Sequence, residues 1–211
     1  MVSIRSAEDT ALRVGVLASG NGTNLQAILD ACAAGEIRAK VACVLSDQPA
    51  ARALARAAQA GVPHHAVPRS DYASREDHDR ALVEMLRTYE VELVVLAGYM
   101  RLVGQPFLEA YPQRIINVHP SLLPAFPGLN AQQQAWEYGV KVTGCTVHFV
   151  DEGLDTGPII LQESLSVEEF ASLDQLTEGI HRLEHRLLPQ AIGLFAEGKL
   201  RLEGRRVALL P

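Results

Sequence analysis

The chain has 211 residues, of which 48% are hydrophobic and 21% charged, and its formal net charge is −6. This balance is typical of a globular protein and argues against collagen, a coiled coil or a disordered chain. A chain of this length buries enough surface for one well-cored domain. The acidic balance argues against binding of nucleic acid through many phosphates, so any bound anion has to be held by local donors.

The sequence predicts a flexible leader over residues 1–11 and one domain over 12–211. The leader is polar and lacks the apolar core of a secretory signal, and no segment reaches the roughly 18 apolar residues of a membrane span. The cysteines, Cys32, Cys43 and Cys145, include no C-x-x-C pair. They predict neither a disulfide framework nor a thiolate zinc site, and a reducing cytoplasm fits them.

Short apolar runs alternate with helical patterns through the first half of the chain. The pattern predicts strands at 13–18, 41–45, 62–67 and 93–97, and helices from about 24, over 49–60 and over 74–89. Such alternation is typical of a parallel sheet with helices on both faces. The predicted fold class is therefore α/β, as a single Rossmann-like domain.

The second half is less regular. It predicts strands at 115–118, 143–150 and 159–165, helices over 132–138 and 173–196, and a terminal hairpin over 198–209. The long helix follows from apolar residues recurring at helical spacing, and the hairpin from a turn at Glu203-Gly204. This part of the central sheet is expected to be mixed rather than parallel.

A glycine-containing loop joins the first strand to the first helix. Gly20 and Gly22 precede the helix, and Asn24 is predicted to be its N-cap, so backbone N–H groups and the helix dipole point at one place. A dinucleotide fingerprint needs a third glycine where the chain has Leu25, and the lysine of a P-loop is absent. The loop predicts a site for a phosphate monoester, with a purely turn-forming role of the glycines as the alternative.

The strongest candidate for chemistry is an Asn-x-His pair. Asn117 and His119 are two residues apart on a strand, so their side chains share one side, and Pro120 restricts the backbone after them. An amide beside an imidazole offers two donors to a developing oxyanion. The alternative is a capping asparagine and a buried histidine bonded to a carbonyl group.

An acidic loop over residues 151–158 can supply a carboxylate. If Asp155 lay beside His119, it would favour the imidazolium form, although a solvated turn is the simpler interpretation of this aspartate alone. His148, inside a strand, is predicted to be a satisfied core histidine, and Cys145 to be inert packing. The histidines show no zinc-site spacing, so no metal is expected.

Four stretches occur together in a characteristic order: residues 19–24, 96–101, 117–124 and 151–158. With them the chain resembles the phosphoribosylglycinamide formyltransferases, a family of folate-dependent formyltransferases, from about Arg13 to near Arg201. The resemblance implies direct transfer of a formyl group from 10-formyltetrahydrofolate, as co-substrate, to the amine of glycinamide ribonucleotide in purine biosynthesis. It implies no metal and no nucleic-acid partner, and leaves a homodimer as an assembly to be tested.

The resemblance also implies roles for individual residues. His119 would be the acid and base, Asn117 would hold the formyl oxygen, and Asp155 would set the protonation of the histidine. The ribonucleotide would be bound by Gly22, Thr23, Asn24 and Glu184, and the folate by Arg75, Met100, Arg101, Leu102, Val103 and Asn117. The chain departs from the family pattern at Asn130, where a histidine is often expected.

Three other functions share parts of this pattern. A methionyl-tRNA formyltransferase would require an added C-terminal domain, and only about ten residues follow Arg201. A formyltetrahydrofolate deformylase would share His119 and Asp155 but pass the formyl group to water, and its family carries an N-terminal regulatory domain. A non-catalytic Rossmann module that binds nucleotides is the alternative from a different class, and it leaves the Asn117 and His119 pair without a use.

Overall fold

A computed structural model describes residues 11–211, so the predicted leader lies outside the described residues except for Ala11. The strands are β1 (Leu12–Leu17), β2 (Ala39–Ser46), β3 (His64–Ala66), β4 (Leu93–Leu96), β5 (Ile115–His119), β6 (Val142–Phe149), β7 (Ile159–Ser166), β8 (Leu200–Glu203) and β9 (Arg206–Leu209). The helices are α1 (Thr23–Ala33), α2 (Arg52–Gln59), α3 (Arg75–Thr88), α4 (Gln105–Ala110), α5 (Ala131–Tyr138) and α6 (Leu173–Ala196).

The described strands form one sheet in the order β3-β2-β1-β4-β5-β6-β7-β9-β8. Strands β1 to β5 all run parallel to one another, whereas β6 is antiparallel to both β5 and β7. The predicted change from a parallel to a mixed sheet is therefore confirmed. Strand order reverses between β1 and β4, and in open α/β sheets the crevice at such a point, outside the carboxyl ends of the strands, is where ligands bind.

Helices cover both faces of the sheet. Residues that alternate along the parallel strands point to opposite sides, so Val16 belongs to one core and Leu17 to the other. The first core is completed by α1, α2 and α6, and the second by α3 and α4. The predicted α/β fold with two covered faces is confirmed.

Two details of the helices differ from the predicted pattern. Helix α4 was not predicted, because it has six residues, carries Pro106 in its first turn and buries only Phe107. Helix α2 begins at Arg52, three residues after the predicted start. Helix α6 begins and ends at the predicted residues, and the Ser172 hydroxyl accepts a hydrogen bond from the Gln175 amide at its start. Between residues 11 and 211, no helix combines the length and apolarity needed to cross a membrane.

Candidate active site

The pairing register of the parallel strands brings three loops to one level. Leu17 of β1 pairs with Leu96 of β4, and Leu96 pairs with Asn117 of β5. Strands β1 and β4 therefore end at the same level, whereas β5 continues for two residues past this row to His119, and Ser19 lies two residues beyond the end of β1. Because neighbouring strands are about 4.8 Å apart, the ends of β1 and β5 are separated by roughly 10 Å across β4.

The structure brings Asn117, His119 and Asp155 together at the end of β5. Nδ1 of His119 lies 3.4 Å from Oδ2 of Asp155, and Nδ2 of Asn117 donates to Oδ1 of Asp155 at 3.4 Å. The same Oδ2 accepts the backbone N–H of Gly128 at 2.8 Å. The backbone of Asp155 has a positive φ of 53°. The solvated-turn interpretation of Asp155 is therefore wrong.

The His119 ring is buried, with 4% of the residue exposed. Its Nε2 is 2.8 Å from the carbonyl oxygen of Phe126, which can only accept a hydrogen bond, so Nε2 carries a proton. Nδ1 faces the carboxylate of Asp155, and a proton there is also satisfied. Both ring nitrogens thus face hydrogen-bond acceptors. The bond to a carbonyl, the simpler alternative for this histidine, coexists with the carboxylate contact.

His148 lies in the same cluster, which the sequence did not predict. It pairs directly with Asn117 across the antiparallel strands β5 and β6. Its Nδ1 lies 2.8 Å from the Phe149 carbonyl and so donates to it, which leaves Nε2 as an acceptor for Nδ2 of Asn117 at 3.1 Å. Burial lowers the pKa of His148 below its ordinary value and outweighs the bond to Phe149. A neutral His148 therefore fixes which end of the Asn117 amide faces the cluster.

Hydrogen bonds with the Thr146 hydroxyl of β6 hold the turn that follows His119. The Thr146 hydroxyl donates to the Ser121 carbonyl at 2.7 Å and accepts the Leu123 amide at 3.1 Å. Gln162 of β7 donates to this hydroxyl and to the Leu123 carbonyl, each at 2.9 Å. Two antiparallel strands thus position the backbone that carries the histidine. No pattern in the sequence near His119 identifies these supports.

The glycine loop after β1 packs against α2 and leads into the N-terminus of α1. Gly22 has a φ of +70°, and an added Cβ would lie 2.7 Å from Cα of Ala53 in α2. The Gly20 carbonyl accepts the Ala53 amide at 3.1 Å, so the loop rests on α2. Thr23 starts α1, and the first N–H groups of this helix have no partner within it. The turn-forming interpretation of the glycines and an anion site are therefore compatible.

The predicted N-cap at Asn24 is wrong. Gly22 occupies the N-cap position without a side-chain bond, and Asn24 is the second residue of α1. Its Nδ2 donates instead to Oε2 of Glu184 in α6 at 3.0 Å, and both side chains are buried. Burial raises the pKa of Glu184 to about 7, against the effect of the Asn24 hydrogen bond. Two predicted ribonucleotide residues thus form one contact between α1 and α6.

The predicted folate residues lie in three segments, namely the start of α3, residues 100–103 and Asn117 of β5, and they differ in environment. Met100 and Leu102 are large apolar side chains left 64% and 54% exposed, whereas Val103 is buried. Arg75 starts α3 and lies 3.9 Å from Oδ2 of Asp79. The Arg101 guanidinium is bound to Asp47, with Nε 2.7 Å from Oδ2. Met100 and Leu102 therefore offer an apolar surface, while Arg101 is held by the protein.

Asn130 occupies the N-cap position of α5 with a φ of 58°. Asparagine adopts this left-handed conformation more readily than most residues, so the backbone conformation explains why asparagine occurs at this position.

Cys145 is fully buried in β6, and burial raises the pKa of its thiol. Both observations agree with the predicted role of this cysteine in packing. In the part of the chain that is described, no three His, Cys, Asp or Glu side chains are grouped to hold a metal ion.

Comparison with known proteins agrees with this arrangement. The sequence model of the formyl transferase family matches residues 12–192. The chain is 46% identical over 177 residues to the phosphoribosylglycinamide formyltransferase of Bacillus subtilis (strain 168), which covers 84% of this chain and 91% of that protein. It is 46% identical over 188 residues to trifunctional purine biosynthetic protein adenosine-3 of Drosophila melanogaster, covering 88% of this chain but spanning 14% of that protein's length.

The fold agrees equally well. The crystal structure of glycinamide ribonucleotide transformylase 1 from Symbiobacterium toebii matches with a TM-score of 0.94 and 56% identity, over 96% of this chain and 95% of that chain. The match includes the mixed part of the sheet, because coverage is almost complete. Sequence and structure thus confirm the resemblance. The chain belongs to the formyl transferase family, among the phosphoribosylglycinamide formyltransferases.

Proposed function

We propose that this protein transfers the formyl group of 10-formyltetrahydrofolate to the amine of glycinamide ribonucleotide. The products are formylglycinamide ribonucleotide and tetrahydrofolate. The observation that carries the proposal is the buried contact of Asn117, His119 and Asp155 at the end of β5. An amide donor, an imidazole and a carboxylate in one cluster supply what formyl transfer to an amine requires, namely donors for an oxyanion and a route for one proton.

In the proposed reaction the amine lone pair forms a C–N bond to the formyl carbon, and negative charge develops on the formyl oxygen. Asn117 has two amide hydrogens: His148 holds one at 3.1 Å, and the other, in a longer 3.4 Å contact with Asp155, would be given to that oxygen. His119 supplies, from Nε2 as it leaves the Phe126 carbonyl, the proton that N10 of the folate gains as the bond from N10 to the formyl carbon breaks. The proton lost by the amine returns to His119 through water beside Asp155, which restores the histidine for the next turnover.

The two substrates are proposed to meet between the ends of β1 and β5. The ribonucleotide phosphate would bind the N-terminus of α1 at Gly22, Thr23 and Asn24, with Glu184 contacting the nucleotide. The folate would bind Asn117, Arg75 and the segment from Met100 to Val103. The phosphate loop and His119 are about two strand spacings apart, roughly 10 Å, so a phosphorylated ribose can lie between them. Holding both substrates in line supplies much of the rate acceleration.

The test is the release of tetrahydrofolate from 10-formyltetrahydrofolate by the purified protein, with and without glycinamide ribonucleotide. We expect release only with the ribonucleotide, together with an equal amount of formylated ribonucleotide. Release without the ribonucleotide would identify a deformylase. Absence of release under both conditions, with nucleotide still bound, would favour a non-catalytic binding module. Either result would overturn the proposal.

We further propose that residues 12–211 form a single formyltransferase domain that acts in the cytoplasm as a homodimer. One continuous sheet through all described strands supports the single domain. Calorimetric unfolding should then show one cooperative transition. Light scattering of the purified protein tests the dimer, which a mass of one chain would contradict, and cell fractionation tests the location.

A further inference from the structure

A buried carboxylate outside the proposed catalytic cluster joins the loops after β1, β2 and β4. Asp47 follows β2 and is 4% exposed. Its Oδ1 accepts the Ser19 hydroxyl at 2.6 Å, and its Oδ2 accepts Nε of Arg101 at 2.7 Å. The oxygen of the Ser19 hydroxyl in turn accepts the Met100 amide at 2.9 Å. One carboxylate is therefore bound both to the loop proposed to hold phosphate and to the segment proposed to hold folate.

The environment of Asp47 is that of a charged acceptor. Burial alone would raise the pKa of this carboxyl, but hydrogen bonds from Ser19, Arg101 and Gln48, with the charge of Arg101, bring it below its ordinary value. The side chain is ionised at neutral pH and paired with the guanidinium. Charge-assisted bonds of this kind are short and resist rearrangement, and loss of the buried carboxylate would leave Arg101 without its partner.

A second buried carboxylate provides a built-in comparison. Asp79 of α3 is 3% exposed, accepts the Gly104 amide at 2.8 Å and lies 3.9 Å from Nε of Arg75. These contacts hold the far end of the proposed folate segment, and they include no residue of the loop after β1. Asp47 and Asp79 thus have similar burial, although burial raises the pKa of Asp79 above its ordinary value, and only Asp47 reaches the phosphate side.

We propose that Asp47 is a positioning residue that ties the phosphate loop to the folate segment, so that both substrates are bound in one fixed relative position. The inference rests on the proposed function, which assigns the two subsites. Asp47 acts through Ser19 and Arg101 and touches no reacting atom. A cavity of about 550 Å³ lies beside this connection and is lined by Ser19, Gly20, Gln48 and Met100, so the joined segments border open space rather than solid core.

The test compares Asp47→Leu with Asp79→Leu, since each replaces a buried carboxylate by an apolar side chain of similar size. Dissociation constants for glycinamide ribonucleotide and for tetrahydrofolate are measured separately by calorimetry, alongside kcat. We expect Asp47→Leu to weaken binding of both ligands about tenfold, which corresponds to about 1.4 kcal/mol each. We expect Asp79→Leu to weaken the folate alone, and kcat to fall less than binding in both variants.

Asp47→Asn provides the conservative rescue. Its amide oxygen can still accept from Arg101, and its NH₂ group can donate to the Ser19 oxygen. We expect both dissociation constants to return to within about threefold of wild type, while exposed Asp71→Asn leaves them unchanged. If Asp47→Leu does not fold, Ser19→Ala cuts the same connection at its phosphate end and should also weaken both ligands.

The inference is overturned if Asp47→Leu, or Ser19→Ala in its place, weakens only one ligand, or if Asp79→Leu weakens both equally. Wild-type protein serves as the reference for the proposed function. If wild type transfers no formyl group, the proposed function fails and takes this inference with it. If wild type transfers formyl and the variants bind both ligands normally, only the role of Asp47 is rejected.

Discussion

His148 carries its proton on Nδ1 because the Phe149 carbonyl beside that nitrogen can only accept. Its free lone pair then selects the NH₂ end of the Asn117 amide, and the Asp155 carboxylate lies within reach of the same group. These partners fix the tautomer of His148 and the orientation of the Asn117 amide. Such a network orients its donors before substrate arrives, which is the condition for strong electrostatic stabilisation of an oxyanion.

Replacing the proposed acid and base tests the chemistry directly. We expect His119→Ala to lower kcat by roughly 10²–10⁴-fold, the usual contribution of a positioned acid or base, with little change in ribonucleotide binding. Turnover by stopped-flow absorbance and binding by calorimetry measure the two effects. The exposed His64→Ala variant is the control. Near-normal turnover in a folded His119→Ala protein would rule out this role.

The Asp155 carboxylate should be required for turnover. Asp155→Asn keeps a residue that tolerates the positive φ at this position, and it removes the carboxylate that faces Nδ1 of His119. We expect kcat to fall at least tenfold, because the histidine loses its charged acceptor. The matched control is Glu152→Gln, an exposed change on the same loop. A kcat within twofold of wild type would mean that the Asp155 carboxylate is not needed to position the histidine.

At the scale of elements, the helices and strands could be predicted wherever hydrophobic residues recur at regular spacing along the sequence. The wholly apolar parallel strands and the amphipathic helix α6 follow from hydrophobic spacing, since long buried elements leave that pattern. The contact of His148 with Asn117 depends on the register between β5 and β6, which no local pattern encodes. The side chain of Asn24 could not be predicted either, because its partner Glu184 lies 160 residues away.

The loop between β1 and α1 offers a test at this scale. We expect Gly22→Ala to destabilise the fold by at least about 1–2 kcal/mol, the cost of the left-handed conformation, with further loss from the clash against Ala53. Ribonucleotide binding should weaken as well, because the start of α1 shifts. Urea unfolding measures the stability. Gly20→Ala is the matched control, since open space surrounds its Cβ position, and equal losses in both variants would contradict this explanation.

At the scale of the whole molecule, the ionisation of Glu184, which lies between α1 and α6, should make the stability of the fold depend on pH. Glu184 has an ordinary pKa of 4.5 when the chain is unfolded, and burial raises the pKa to about 7 in the folded protein. Between these values the folded state binds more protons than the unfolded state, so this residue's contribution to stability falls as pH rises. The contribution is complete below pH 4.5 and lost above about pH 7.

The variant Glu184→Gln isolates this contribution, because glutamine resembles the protonated carboxyl at every pH. We expect the free energy of unfolding of wild type, relative to the variant, to fall by about 3 kcal/mol between pH 4.5 and 7. Denaturant unfolding across this range measures the difference, and other titrating groups cancel between the two proteins. A difference that stays constant with pH would show that Glu184 ionises normally in the fold.

The common level of Leu17, Leu96 and Asn117 has a consequence for the choice of acceptor. The distance between the ends of β1 and β5 is set by backbone hydrogen bonds across two strand spacings. An acceptor with one extra methylene between its phosphate and its amine would carry that amine past the formyl carbon. We therefore expect the sheet itself to contribute to selectivity for acceptor length, which kcat/KM for an acceptor lengthened by one methylene would measure.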